Sequence, residues 1–164
     1  MVFCNLFLKS FVLLVKVLSS EIILGGTMRE PVQNLIEQYR NSLYSIAFHI
    51  CQNTEDAEDV VQDTFLKYYT TSKEFENSEH IRAWLIRVAI NKAKNITLTF
   101  WKRNKVALED FVETLKFEDD DAQEIFETVM NLPEKLRIVI HLFYYESYSV
   151  KEISKILHIS ESNV

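Results

Sequence analysis

Apolar residues recur along most of the chain at the three-and-four spacing of an amphipathic helix. Leu35, Tyr39, Leu43, Ile46, Ala47 and Ile50 trace one stripe that ends near Cys51, and Gln52-Asn53 reads as the turn that follows. A second stripe runs through Ala57, Val60, Val61, Thr64, Phe65 and Tyr68, with Glu55, Asp56, Glu58, Asp59, Gln62 and Asp63 crowding the opposite face. Thr54 is the expected cap of this helix, and Glu55 and Asp56 suit the positive end of its dipole. A third helix, from about Glu79, buries Ile81, Trp84, Leu85 and Val88 and carries Arg87, Asn91 and Lys94 along an adjoining face. Between them Thr70 to His80 reads as a polar loop holding Phe75 and Asn77. Short connections make the helices antiparallel neighbours, closing a bundle around Trp84, Phe65 and Tyr39.

The distal part repeats this grammar on a smaller scale. A helix is expected from Asp121 to Asn131, Pro133 suits the first turn of the next, and Ile138 to Tyr145 supplies an apolar core helix. Ser149 and Glu152 make a capping box before Ile153, Ile156 and Leu157. His158-Ile-Ser160 is then a short turn, with Ser160 able to cap one more helix, which is the layout of a helix-turn-helix. With two Gly and two Pro in 164 residues, the expected class is all-α: two small helical domains joined by an acidic linker, the second an incomplete helix-turn-helix.

A formal charge of −6 argues against indiscriminate coating of nucleic acid, so charge has to be taken by segment. From Glu79 to Val106 the cations Arg82, Arg87, Lys92, Lys94, Lys102, Arg103 and Lys105 face the single acid Glu79, a basic island suited to phosphate. The next stretch is acidic, opposed only by Lys116, and the linker is placed at 107–120. Cys4 and Cys51 are isolated and the four His are scattered, so neither a metal nor a cofactor is expected, and two unpaired cysteines suit a reduced, cytoplasmic compartment. With no nucleophile–base pair and no Gly-rich phosphate loop, an enzyme acting on a small-molecule substrate is not expected.

Four strings occur in order: Asp56-Ala-Glu-Asp-Val-Val-Gln-Asp-Thr-Phe65, Ile81-Arg-Ala-Trp-Leu-Ile-Arg-Val-Ala-Ile-Asn91, Leu132-Pro-Glu-Lys-Leu-Arg-Ile-Val-Ile140 and Tyr148-Ser-Val-Lys-Glu-Ile-Ser-Lys-Ile-Leu157. Together they resemble the bacterial RNA polymerase sigma factors of the extracytoplasmic-function group, over roughly Glu30 to the last residue. The resemblance implies a sigma region 2 at 28–106 and a sigma region 4 at 121–164. It implies a protein that binds RNA polymerase core, recognises promoter DNA and melts it, with an anti-sigma factor as a further partner. By the same resemblance Asp59, Gln62 and Asp63 match the positions that dock on the clamp of the largest polymerase subunit. Arg87, Asn91 and Lys94 are expected on the downstream promoter element, Lys102 and Arg103 on phosphates, and Phe75 and Asn77 in a loop that holds an unstacked base. Ser147 and His158 stand where relatives commonly have Gly, the residue that adopts a left-handed backbone without penalty.

Two expectations concern the ends. Residues 1–27 read as a non-native extension, because Gly25-Gly26-Thr27 before Met28 has the form of a translated ribosome-binding sequence upstream of the true start. Val164 falls four residues into the expected recognition helix, so upstream-element reading is expected to be poor and a core-binding decoy is the competing reading.

Overall fold

The computed structural model describes residues 30–100 and 120–164, and every regular element among them is helical. The expected extension at 1–27, nearly all of the linker, and the cations Lys102 and Arg103 lie outside the described residues. Three long helices come first: α1 Val32–Cys51, α2 Thr54–Thr70 and α3 Ser78–Phe100. Three shorter ones follow, α4 Asp120–Met130, α5 Glu134–Tyr144 and α6 Val150–Leu157, and then a single 3-10 turn at Glu161–Asn163.

The first three helices form because their apolar stripes meet. Leu35, Leu43, Ala47, Ala57, Val60, Phe65, Leu85, Ala89 and Ala93 are all essentially removed from solvent. Phe65 and Tyr39 lie in this core as expected, whereas Trp84 is only half-buried and packs edge-on against Tyr68 and Phe75 at its margin. Arg40 on α1 ties to Glu58 on α2 at 2.9 Å, and the Tyr68 hydroxyl donates to the Glu30 carbonyl at 2.9 Å.

Helix ends correct the sequence reading in detail. The cap of α2 is Asn53, not Thr54: Asn53 has the extended backbone of a capping residue, and its Oδ1 accepts from the Asp56 amide at 2.9 Å, while Thr54 is already helical. Gln52 ends α1 in the left-handed conformation at φ 51°, without glycine. The capping box of Ser149 and Glu152 is present as expected. Ser147 and His158 both have positive φ, 58° and 55°, so their backbones take the form for which glycine is the usual choice. Ser160 opens the 3-10 turn, but its hydroxyl meets Ser162 Oγ at 3.0 Å and makes no capping bond.

The apolar run Ile138 to Tyr145 is not buried along its whole length. Ile138 and Leu142 point inward together with Arg137 and His141, one turn apart, and the same geometry turns Phe143, Tyr144 and Tyr145 outward. The inward residues do not form a separate core. Met130, Ile138, Leu142, Tyr148, Ile153 and Ile156 join the apolar cluster of α1, α2 and α3. The distal helices therefore lie on the bundle, α5 against α1 and α6 against α3.

Candidate nucleic-acid interface

The acidic face of α2 is open. Asp59 and Asp63 are exposed and Gln62 is half-buried, all on one side of the helix because they are spaced at i, i+3 and i+4. Asp63 reaches Lys92 of α3 at 2.7 Å, a partner that the sequence pattern did not reveal. Partial burial, and then the neighbouring Asp63, Glu55 and Glu58, raise the Asp59 carboxyl above the usual carboxylate range. Such a patch repels itself, and an approaching cation relieves the repulsion.

The cationic face of α3 is more occupied. Asn91 is exposed and Lys94 half-buried, but the Arg87 guanidinium donates to the Lys155 carbonyl of α6 at 3.1 Å. Arg82, five residues before Arg87, donates to the Glu146 carbonyl and to its carboxylate, both at 3.0 Å, and lies over the Tyr148 ring. Thus Arg87, Asn91 and Lys94 do share a helix side, but its N-terminal end is covered by the distal helices.

In the loop before α3, Phe75 is half-buried against Tyr68 and Trp84, with His80 edge-on at 5.4 Å and the Lys73 ammonium 5.7 Å from the ring. Asn77 is exposed, and its Oδ1 accepts from the His80 amide at 2.8 Å, so it ends the loop by capping α3. Both residues therefore carry a structural task in addition to any contact with a base.

Sequence reasoning missed a buried polar cluster between the two sets of helices. Glu146, on the connection between α5 and α6, is 8 % exposed and accepts from Ser42 Oγ of α1 at 2.7 Å, with His141 Nε2 3.6 Å away. Arg137, 7 % exposed, donates to the carbonyls of His49, Met130 and Leu132 at 2.7, 3.0 and 2.6 Å. His49 and His141, read as scattered, come together with ring centroids 4.4 Å apart. Among the described residues no group of three or more His, Cys, Asp or Glu side chains is placed so that it could hold a metal ion. The only advance signal for this cluster was the presence of His, Arg and Glu within otherwise apolar runs.

Comparison with known proteins places the two sets of helices. Residues 35–106 match the family model for sigma-70 region 2, and residues 122–164 match the model for sigma-70 region 4. The chain belongs to the sigma-70 family, in its extracytoplasmic-function group. This sigma factor is 29 % identical over 140 residues to the extracytoplasmic-function sigma-E factors of Salmonella typhimurium and Escherichia coli, covering 75 % of its own length and 73 % of theirs. It is 26 % identical over 157 residues to the SigW factor of Bacillus subtilis, covering 83 % of its own length and 82 % of that relative. Region 2 thus corresponds to α1 to α3, and region 4 to α4 through the final turn. No helix among the described residues is long and apolar enough to cross a membrane.

Proposed function

We propose that this chain binds the RNA polymerase core and directs promoter recognition and strand opening at the start of transcription. The observation that carries this reading is the succession of a region 2 match and a region 4 match, in that order and over most of the chain. No covalent chemistry is assigned to the protein, and the reading needs no cofactor: the work is done by binding one surface to polymerase and another to DNA. A decoy that binds core without directing initiation is the weaker reading, because both matched regions are present.

At residue level, Asp59, Gln62 and Asp63 contact the polymerase clamp, where carboxylates meet arginines in charge-assisted, two-pronged contacts that set both affinity and register. Exposure of both aspartates supports this assignment. Arg87, Asn91 and Lys94 read the downstream promoter element, Lys102 and Arg103 hold phosphates, and Phe75 with Asn77 flanks an unstacked base. Exposure of Asn91 and the aromatic setting of Phe75, beside Tyr68 and Trp84, support these roles. Residues 28–106 act as the core-binding and downstream-element unit, 107–120 as the linker and 121–164 as the unit directed at the upstream element.

The test separates base reading from phosphate holding. In holoenzyme assembled with purified core, Asn91→Ala lowers promoter opening in a sequence-dependent way, by about 1–3 kcal/mol of discrimination for each good base contact. Arg87→Ala lowers opening as well, while Lys102→Ala weakens binding uniformly across sequences and flattens its salt dependence. Equal behaviour of the three variants on matched and mismatched promoters would contradict the division.

A further inference from the structure

Lys92 does not serve the side of α3 that its sequence neighbours form. It belongs by composition to the basic island, between Asn91 and Lys94, yet its ammonium crosses to α2 and donates to Oδ2 of Asp63 at 2.7 Å. One charge of the face assigned to polymerase is thus already answered from inside the chain. The other ion pair that α2 makes with a neighbouring helix is of a different kind. Arg40 reaches both carboxylate oxygens of Glu58, at 2.9 and 3.3 Å, and the two side chains are only 27 % and 19 % exposed. Lys92 contacts a single oxygen, and its pair is 39 % and 51 % exposed. Water competes for so open a pair and its net worth is small, so the ammonium leaves Asp63 at little cost. Arg40 is a fixture of the bundle, whereas the Lys92 contact is exchangeable.

Exchange matters because of what an incoming partner needs. A guanidinium binds a carboxylate best through two parallel N–H donors, one to each oxygen. At Asp63 one oxygen is in use, and a like charge stands beside it. An arginine that approaches either settles for the remaining oxygen or displaces the ammonium, and both outcomes weaken its contact relative to an unengaged carboxylate. Lys92 could strengthen the contact instead only by ordering Asp63 in advance. That gain is small, because aspartate has a short side chain with little rotamer freedom to remove.

We propose that Lys92 is an internal competitor for Asp63, which lowers the affinity of this chain for RNA polymerase core and is displaced when the polymerase clamp docks. The inference rests on the assignment of the acidic face to polymerase given above. It moves Lys92 from the phosphate-holding cations of the basic island to the polymerase side of the molecule. Core affinity is then set in part by a residue of α3, outside the helix that makes the contact.

The full chain tests this in titrations of purified core polymerase at low and at high salt. Lys92→Met keeps a long side chain while removing the charge and the donor, and Lys92→Gln, uncharged but polar, repeats the test at the same position; helicity of each is checked by circular dichroism. Each is expected to bind core about threefold more tightly than the parent at low salt, with a gain that fades at high salt as exposed charges are screened. Asp63→Asn is expected to weaken binding, and Lys92→Met added to it should bring no further gain. Equal or weaker binding by both helical Lys92 variants would overturn the competition. A gain of the same size in the Asp63→Asn background would overturn exchange at Asp63, since only a general effect of charge would remain. If Asp63→Asn and Asp59→Lys/Asp63→Lys both bound core as tightly as the parent, the assignment of the acidic face itself would fall, and this proposal with it.

Discussion

Glu146 and His49 show how single residues are tuned by the contact between the two regions. Burial pushes the Glu146 carboxyl upward, but His141, Ser42 and Arg82 together outweigh it and hold the group at about 2. Its contribution is therefore complete above the ordinary carboxylate value and is lost as pH falls from about 4.5 toward 2. Burial, and next the adjacent His141, lower the His49 ring to about 4, although its Nδ1 lies 2.7 Å from the Ser45 carbonyl. The unfolded chain takes up that proton first, so His49 costs stability as pH falls from 6.5 to about 4, on the order of 3 kcal/mol in all. Urea denaturation at pH 7 and pH 4 measures this, and His49→Phe, which takes up no proton, should flatten that part of the curve. Arg137→Met should cost about 2–4 kcal/mol in the same assay, because three carbonyls lose their donor in a buried setting. None of these roles was legible in the sequence. Ser42 and Glu146 are 104 positions apart, and periodicity says nothing about which polar side chains meet across such a distance.

At the scale of elements the sequence was far more informative. Helical periodicity located α1, α2 and the start of α3 to within a few residues, because each must bury a continuous stripe. The capping box at Ser149 was legible for the same reason, being a local bond between residues three apart. What failed was local competition: Asn53 and Thr54 are both good caps, and only the backbone decides between them. Asn53→Ala should cost about 1 kcal/mol of stability, and Thr54→Ala much less, as read by thermal denaturation. At the other end of the chain, His158 follows α6 with φ 55°, where glycine avoids the clash of a Cβ with its neighbours. His158→Gly is expected to stabilise the protein by about 0.5–1 kcal/mol, and a loss of that size would show that the imidazole has a stabilising contact of its own. Outward-facing Phe143, Tyr144 and Tyr145 were misjudged because a run of apolar residues longer than a helical stripe cannot all face one way.

For the whole molecule, the segmental charge pattern predicted two opposed surfaces, and α2 and α3 do carry an acidic and a cationic side. The strings that resemble sigma factors were legible because each fixes a helix, its outward residues and its distance from the next. The shared core and the coverage of Arg87 were not, since they depend on how two separately legible units dock. The central claim, that this chain is a sigma factor engaging polymerase through the acidic face of α2, is tested most directly by titrating purified bacterial core polymerase with the labelled full chain and with Asp59→Lys/Asp63→Lys. Both aspartates are exposed, so the double variant should retain its helicity, with stability altered by about 1 kcal/mol or less even after loss of the Asp63 pairing with Lys92. The account predicts a saturable one-to-one complex with the parent chain that the double variant fails to form. Failure of the parent to bind core, or equal binding by the charge-reversed chain, would contradict it.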